Sequence, residues 1–236
     1  MNPEDIAKIS AFEEEHWWYR ERKWLLKKFV KIYLIKGKAL DIGASAGYYS
    51  QTLKELGLEV LAFENEPVGV AICRSRGLQT MVGNAESLEI SSDSQDLVIM
   101  MDVLEHIESD SAAVREVSRV LKPGGFFFLT VPVGMELWSD HDVQARHFRR
   151  YEYKQIQEIL SQNNIQILKH KYWNVILRLA LILRRRHFHG NAIGLPSKPV
   201  NLLLATIIKL ERVFPFGKLR GVSLIVIGRK PTLTQL

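Results

Sequence analysis

The chain has 236 residues, of which 47% are hydrophobic and 25% are charged. This mixture is typical of a globular protein long enough for one large domain, and it excludes a disordered tail protein, a collagen-like repeat and a protein with many membrane spans. The single cysteine, Cys73, excludes an intramolecular disulfide and a cysteine-cluster zinc site. The residues after Met1 form neither a basic nor an apolar signal region, so we expect no signal peptide and a cytoplasmic location.

The net charge of +6 conceals a strong asymmetry along the chain. Residues 1–38 carry a net charge of +3, residues 39–145 carry −11 and residues 146–236 carry +14. A basic segment of this kind indicates an anionic partner, such as a phosphate-bearing substrate, an acidic lipid surface or nucleic acid. The alternative is a solvated basic face without a partner.

The first two thirds of the chain predict helices alternating with strands. Residues 4–33 have apolar and aromatic residues at helical spacing. Short apolar runs then predict five strands, at residues 39–42, 58–63, 79–82, 96–101 and 126–131, with helices at 48–56, 67–76 and 110–120. Strands that alternate with short helices indicate βαβ units and a parallel sheet.

The last third is less regular. A polar loop at 132–150 precedes a helix at 153–162 and a strand at 165–172. Two apolar and basic helical stretches, 175–186 and 200–213, flank a linker from Gly190 to Pro199, and a last strand covers 222–228. Neither stretch reaches the roughly 20 residues that span a bilayer. They suit a lid over a greasy substrate, a dimer surface or an in-plane membrane anchor, although helical spacing alone also suits core packing.

Polar residues follow four successive predicted strands. The first strand runs into Asp41-Ile42-Gly43-Ala44-Ser45-Ala46-Gly47, and the second ends at Glu64. Asn84-Ala85-Glu86 follows the third strand, and the fourth leads into Asp102-Val103-Leu104-Glu105-His106. Ligands of α/β folds lie beyond the carboxyl ends of the strands, so these residues predict one binding crevice. The first loop lacks the Gly-x-Gly-x-x-Gly pattern of dinucleotide folds, which disfavours a nicotinamide dehydrogenase.

These motifs resemble those of the class I S-adenosylmethionine-dependent methyltransferases, and within them a small-molecule subgroup with a Val-Leu-Glu-His segment. Leu121-Lys122-Pro123-Gly124-Gly125 is similar to a further motif of that family. The resemblance implies a Rossmann-like, seven-stranded, mostly parallel sheet with helices on both faces, an antiparallel last strand and a helical insertion before it. It divides the chain into a helical cap (1–37), the cofactor-binding core (38–172), the insertion (173–220) and the last strand with a tail (221–236).

The resemblance also implies S-adenosylmethionine as cofactor and S-adenosylhomocysteine as product. Two positions depart from the family pattern: Ser45 replaces a common glycine, and Asn84 replaces a common aspartate. Arg22 is equally consistent with an ordinary surface arginine. The residues implied to contact the cofactor are Tyr19, Arg22, Asp41, Gly43, Ala44, Ser45, Gly47, Glu64, Asn65, Asn84, Ala85, Glu86, Asp102 and Val103.

Histidines are the candidate bases for a hydroxyl acceptor. His106 follows the fourth strand, and an ordinary imidazole pKa of about 6.5 suits proton removal near neutral pH. A role in shaping the pocket wall is the alternative for His106, and His141 is the second candidate base. The carboxylates beside His141 suit a divalent cation, but alternating residues of an extended segment point apart, so no metal site is predicted.

Arginine at the end of the polar loop suits an anionic acceptor. His147, Arg150 and Tyr151 are the candidate residues for a substrate phosphate or carboxylate, and a basic loop without a ligand is the alternative. Together with the resemblance, which implies methyl transfer and points to glycan, lipid or secondary-metabolite modification, these residues lead us to predict methyl transfer to a hydroxyl of a small or lipophilic metabolite. Methylation at carbon or nitrogen, RNA methylation and a non-catalytic cofactor-binding adaptor remain alternatives. Peripheral membrane contact and a homodimer also remain open.

Overall fold

The computed structural model of the protein describes residues 3–187, 194–214 and 219–232. The first part of the predicted linker, 190–193, lies outside the described residues, as do the side chains of 183–187 with their three consecutive arginines. The strands are β1 (Lys38–Ile42), β2 (Glu59–Phe63), β3 (Gln79–Met81), β4 (Gln95–Met101), β5 (Leu121–Pro132), β6 (Gln166–Trp173) and β7 (Ser223–Arg229). The α-helices are α1 (Pro3–Phe12), α2 (Trp17–Ile32), α3 (Tyr48–Glu55), α4 (Pro67–Ser75), α5 (Asp110–Val120), α6 (Asp140–Gln144), α7 (Tyr153–Gln162), α8 (Ile176–His187) and α9 (Lys198–Leu210).

The seven strands form one sheet in the order β3-β2-β1-β4-β5-β7-β6. Strands β1 to β5 pair in parallel, whereas β7 runs antiparallel to both β5 and β6. The predicted sheet with an antiparallel last strand is confirmed. Because the strand order reverses between β1 and β4, their carboxyl ends leave a crevice at this switch point.

Strand β4 is buried on both faces, which explains its uninterrupted apolar sequence. Val98 and Met100 belong to the core that α5 and α7 cover, and Leu97 and Ile99 belong to the core under α2 and α3. Alternation along the strand therefore divides one apolar run between two helical layers.

The predicted N-terminal helix is two helices, because the chain turns between Phe12 and Trp17. His16 caps α2, and its Nδ1 accepts a hydrogen bond of 3.2 Å from the backbone N–H of Trp18. Helix α1 packs beside α4, where Arg76 donates to Glu13 at 2.5 Å. This turn brings the buried side chain of Ile6 to the carboxyl ends of the strands.

Helices α8 and α9 lie on the α2 side of the sheet. Asn201 on α9 accepts a hydrogen bond from the backbone N–H of Trp17 at 3.0 Å, and Arg212 pairs with Glu21. Within the described ranges, the structure contains no helix with the length and apolar character needed to cross a bilayer.

Candidate active site

A cleft of about 540 Å³ lies beyond the carboxyl ends of β1, β2 and β4. Its volume is within the range of pockets that enclose a cofactor-sized ligand. Ten residues predicted from the sequence line it: Gly43, Ser45, Glu64, Asn65, Asn84, Ala85, Glu86, Asp102, Val103 and His106.

The loop after β1 approaches Val103 so closely that it requires glycine at one position. Gly43 has a φ of +70°, and a Cβ placed there would lie 2.5 Å from Cγ2 of Val103. Ser45 has a φ of +53°, in the left-handed region that favours glycine. The loop therefore keeps the conformation of a glycine-rich turn although a serine occupies its middle.

Glu64 connects the first loop to the second strand. Its buried carboxylate accepts backbone N–H bonds from Ser45 at 2.6 Å, Asn65 at 2.9 Å and Glu66 at 2.8 Å. A carboxylate has about four acceptor positions, so one remains for a ligand hydroxyl. The residue therefore holds the loop while it lines the cleft.

Asn84 and Glu86 close a tight turn on the β3 side. The Asn84 amide donates to Glu86 Oε2 at 3.1 Å, and Asn84 Oδ1 accepts the backbone N–H of Glu86 at 2.9 Å. Glu86 also accepts the N–H of Ser109 at 3.1 Å. In this arrangement the Asn84 amide, which the resemblance implies to contact the cofactor, shapes the rim of the cleft.

Some predicted cofactor residues lie outside the cleft lining. Asp41 is buried beneath the loop, where it accepts a 2.6 Å hydrogen bond from the Ser50 hydroxyl, and burial raises the pKa of Asp41 to about 7. Tyr19 packs its ring near Tyr48 on the α2 side, while Ala44 is buried within the loop. These residues support the site from behind.

Arg22 is buried and is not a surface arginine. Its guanidinium makes a two-pronged ion pair with Asp102 and lies 4.7 Å from the ring of Trp18 and 5.2 Å from the ring of Trp173. Thr130 donates to the same carboxylate at 3.1 Å. Asp102 has a φ of +58°, so this ion pair holds a strained residue at the cleft wall. Arg22 thus reaches the site through Asp102.

His106 lines the cleft, but its imidazole differs from the ordinary one assumed from the sequence. Burial and the neighbouring His147 lower the pKa of His106 to about 4. The two rings meet edge to face with their centroids 4.6 Å apart. His106 is therefore neutral near pH 7 and is a weak proton acceptor.

The segment predicted as an extended loop contains α6 and is organised around Asp142. This fully buried carboxylate accepts hydrogen bonds from His147 Nδ1 at 2.9 Å, Arg150 at 2.8 Å and the backbone N–H of Ser139 at 2.9 Å. Burial opposes ionisation, but His147 and Arg150 hold the pKa of Asp142 well below its ordinary range.

Three predicted substrate or catalytic residues of this segment are engaged elsewhere. Arg150 is buried against Asp142, and the Tyr151 hydroxyl donates to Leu104 O at 3.2 Å and lies 3.0 Å from Asp110. His141 lies on α6, with His147 between its ring and His106, and is not part of the cleft lining. The predictions of Arg150 and Tyr151 as substrate contacts and of His141 as a base lack support in this geometry.

The cleft also includes residues that sequence reasoning missed. Arg146 and Phe148 line it from the α6 segment, and Ile6 lines it from α1. Phe148 is held by its N–H bond to the carbonyl of Glu105 at 2.8 Å. The one signal in the sequence for Arg146 and Phe148 was that they flank His147. Neighbouring residues on an irregular segment face different sides, so the residues on either side of His147 can share a face.

The family model described as "Methyltransferase domain" matches residues 40–129, which run from β1 through most of β5. These residues form a methyltransferase domain, and the match supports the class I S-adenosylmethionine-dependent family. The matched residues contain the glycine loop, Glu64, the Asn84 turn and Asp102 to His106, so the methyltransferase motifs and the cleft coincide.

Relatives of this methyltransferase domain include ubiquinone biosynthesis O-methyltransferases. That of Xanthomonas oryzae pv. oryzae is 34% identical over 104 residues, covering 41% of this chain and 44% of the relative. That of Idiomarina loihiensis is 28% identical over 166 residues, covering 62% of this chain and 68% of the relative. The chain thus spans less than half of the length of the first of these relatives.

Solved structures share the methyltransferase fold. The [4+2]-cyclase SpnF is 21% identical with a TM-score of 0.63, covering 91% of this chain and 83% of that one. A chain from the complex between the Haloferax volcanii Trm112 methyltransferase activator and a putative methyltransferase is 19% identical with a TM-score of 0.65. The match covers 95% of this chain and 94% of that one. At these identities the likeness shows the fold alone.

Proposed function

We propose that this protein transfers a methyl group from S-adenosylmethionine to a hydroxyl oxygen of a small or lipophilic metabolite. The observation that supports it is the single cleft formed by the glycine loop, Glu64, the Asn84 turn and the segment ending in His106. The named O-methyltransferase relatives agree with oxygen as the acceptor atom.

The residues on the β1 and β2 side fit the cofactor. The loop at Gly43 leaves no room for a side chain, so a ligand can approach the backbone itself. Glu64 keeps one acceptor position for a ribose hydroxyl, and Val103 presents an apolar surface to a purine ring. When bound, S-adenosylmethionine supplies an electrophilic methyl group on a sulfonium.

The other side of the cleft suits the acceptor. His106, Arg146 and Phe148 line it, offering an imidazole, a cation and an aromatic face. Aligning the acceptor with the methyl group supplies on the order of 7–11 kcal/mol of the barrier. His106 takes the place predicted for the base, and its low pKa makes it a poor proton acceptor near neutral pH.

Thermal unfolding with S-adenosylhomocysteine, and with NAD in parallel, tests the cofactor. Ligand at 100 times its Kd stabilises the folded state by about 2.7 kcal/mol, which raises the Tm of a domain of this size by roughly 5–11 °C. A rise with S-adenosylhomocysteine alone supports the proposal. Methyl transfer is then measured by mass spectrometry with phenols, catechols and polyprenylated phenols. Stabilisation by NAD alone contradicts the cofactor assignment.

We also propose that α8 and α9 contact an anionic membrane surface. Leu179, Leu202 and Leu203 are 71%, 67% and 58% exposed, and the last third of the chain is strongly basic. Co-sedimentation with phosphatidylglycerol vesicles tests this, with Leu202→Ser against Leu168→Ser on β6 as the matched control. Equal binding by both variants, or no binding by the unaltered protein, refutes membrane contact.

A further inference from the structure

Three side chains converge where the acceptor side of the cleft meets the α6 segment. Glu105, His106 and His147 each offer one ligand atom, and these atoms lie within 4.8 Å of one another. Two imidazole nitrogens and one carboxylate oxygen form a ligand set found in catalytic sites of zinc and other first-row transition metals.

Two of these groups present buried polar atoms without a partner. Glu105 is 1% exposed, and neither its Oε2 nor Nδ1 of His106 has a hydrogen-bond partner among the described residues. An unsatisfied buried polar atom costs about 1–3 kcal/mol, and more when the group is charged. A cation between the two would satisfy both atoms and neutralise the carboxylate.

The third group is already oriented as a metal ligand. Asp142 also accepts hydrogen bonds from Arg150 and Ser139, so it acts as an acceptor and His147 Nδ1 is the donor. With Nδ1 as the donor, Nε2 is the nitrogen of His147 that is left to coordinate a cation. A histidine held through its second nitrogen by a carboxylate is the usual support of a metal-bound imidazole.

We propose that Glu105, His106 and His147 bind one divalent first-row transition cation, with Zn²⁺ as the best match, and that the acceptor hydroxyl occupies its open position. The role in catalysis rests on the proposed function, since His106 lines the same cleft.

The chemistry balances without an additional reactant. The coordinated hydroxyl loses its proton to solvent, because a cation lowers the pKa of a bound oxygen acid. The alkoxide or phenoxide oxygen forms the new bond to the methyl carbon as the sulfur–methyl bond breaks and its electron pair stays on sulfur. The products are the methyl ether and S-adenosylhomocysteine.

The test measures cation binding directly, apart from activity. The full chain is treated with a chelator and titrated with Co²⁺, whose visible absorption reports coordination by nitrogen and oxygen, and then with Zn²⁺ by calorimetry. We expect one cation per chain. Glu105→Gln and His147→Asn should abolish the visible band, and Asp142→Asn should weaken Co²⁺ binding by about 10–100-fold.

His170→Asn is the matched control, because His170 stacks on Tyr153 at the far end of the sheet. It should bind Co²⁺ like the unaltered protein. Circular dichroism of each variant without metal verifies folding. If Glu105→Gln does not fold, His106→Asn and His147→Asn carry the test.

Absence of a stoichiometric Co²⁺ band in the unaltered protein overturns the site, as does a band that survives in every ligand variant. Cation binding that depends on these residues supports the site whether or not methyl transfer is detected. The proposed function fails separately, through absence of S-adenosylhomocysteine binding. A bound cation whose removal leaves methyl transfer unchanged refutes its catalytic role.

Discussion

Gly43 provides a sharp test of the cofactor assignment, because Gly57 offers a matched control. Both glycines have positive φ angles, +70° and +86°, so replacing either with alanine imposes the same left-handed strain of about 1–2 kcal/mol. At Gly57 the added Cβ meets no atom within 4 Å, whereas at Gly43 it meets Val103 Cγ2 at 2.5 Å and Cγ1 at 2.8 Å. Only Gly43→Ala therefore also changes the loop.

A change in the Val103 side-chain conformation does not remove the clash that alanine at position 43 would create. Val103 is β-branched and stiff at χ1, and both of its methyl groups are too close, so one rotation cannot clear the alanine. The loop must move away, and ligand binding must restore it. Overpacking of this kind costs about 1–3 kcal/mol, which corresponds to a roughly 5- to 150-fold increase in Kd.

Calorimetric titration with S-adenosylhomocysteine measures this effect. We expect Gly57→Ala to bind like the unaltered protein and Gly43→Ala to bind at least fivefold more weakly. Adding Val103→Ala to Gly43→Ala removes both methyl contacts and leaves a Cβ at 3.3 Å. The loss of affinity that Gly43→Ala causes should therefore be smaller in the Val103→Ala variant than in the unaltered protein. Equal affinity in Gly43→Ala and Gly57→Ala would refute the placement of the ligand against this loop.

Three further predictions concern stability. Burial raises the pKa of Asp41 to about 7 from an unfolded value near 4, so the contribution of Asp41 to folding stability is greatest at low pH and falls as pH rises toward 7. An asparagine at this position can still accept the Ser50 hydrogen bond, so Asp41→Asn should raise Tm more at pH 8 than at pH 5. Equal Tm shifts at the two pH values would contradict this. Asp142→Asn leaves Arg150 buried without its counter-charge and should lower the free energy of unfolding by about 3–5 kcal/mol in urea denaturation, whereas a loss below 1 kcal/mol would show that the pair is dispensable. Ser45→Gly relieves a left-handed serine and should change stability by less than about 1 kcal/mol, in the stabilising direction; measurable destabilisation would mean that the serine side chain supports the loop.

The sheet and the position of the cleft follow from local patterns. Short apolar runs separated by helical segments predict a parallel sheet, and polar residues at successive strand ends predict a crevice, because parallel strands place those ends along one edge. Glycine at position 43 is likewise readable, since the turn needs a backbone without a Cβ. Ten predicted residues accordingly line the cleft.

The roles of the other residues depend on partners distant in sequence. Arg22 resembles a surface arginine until β4 brings Asp102 to its guanidinium, and Arg150 resembles a phosphate ligand until α6 folds Asp142 against it. The ionisation of His106 is set by burial and by His147, neither of which a local pattern encodes.

The sequence by itself determined the seven strands, most of the helices and the polar residues at the strand ends, because these depend on the period of the chain and on glycine geometry. The tertiary structure determined which charges are paired and which histidines meet. Both depend on contacts between segments far apart along the chain, and burial makes those contacts decisive by removing water as the competing partner.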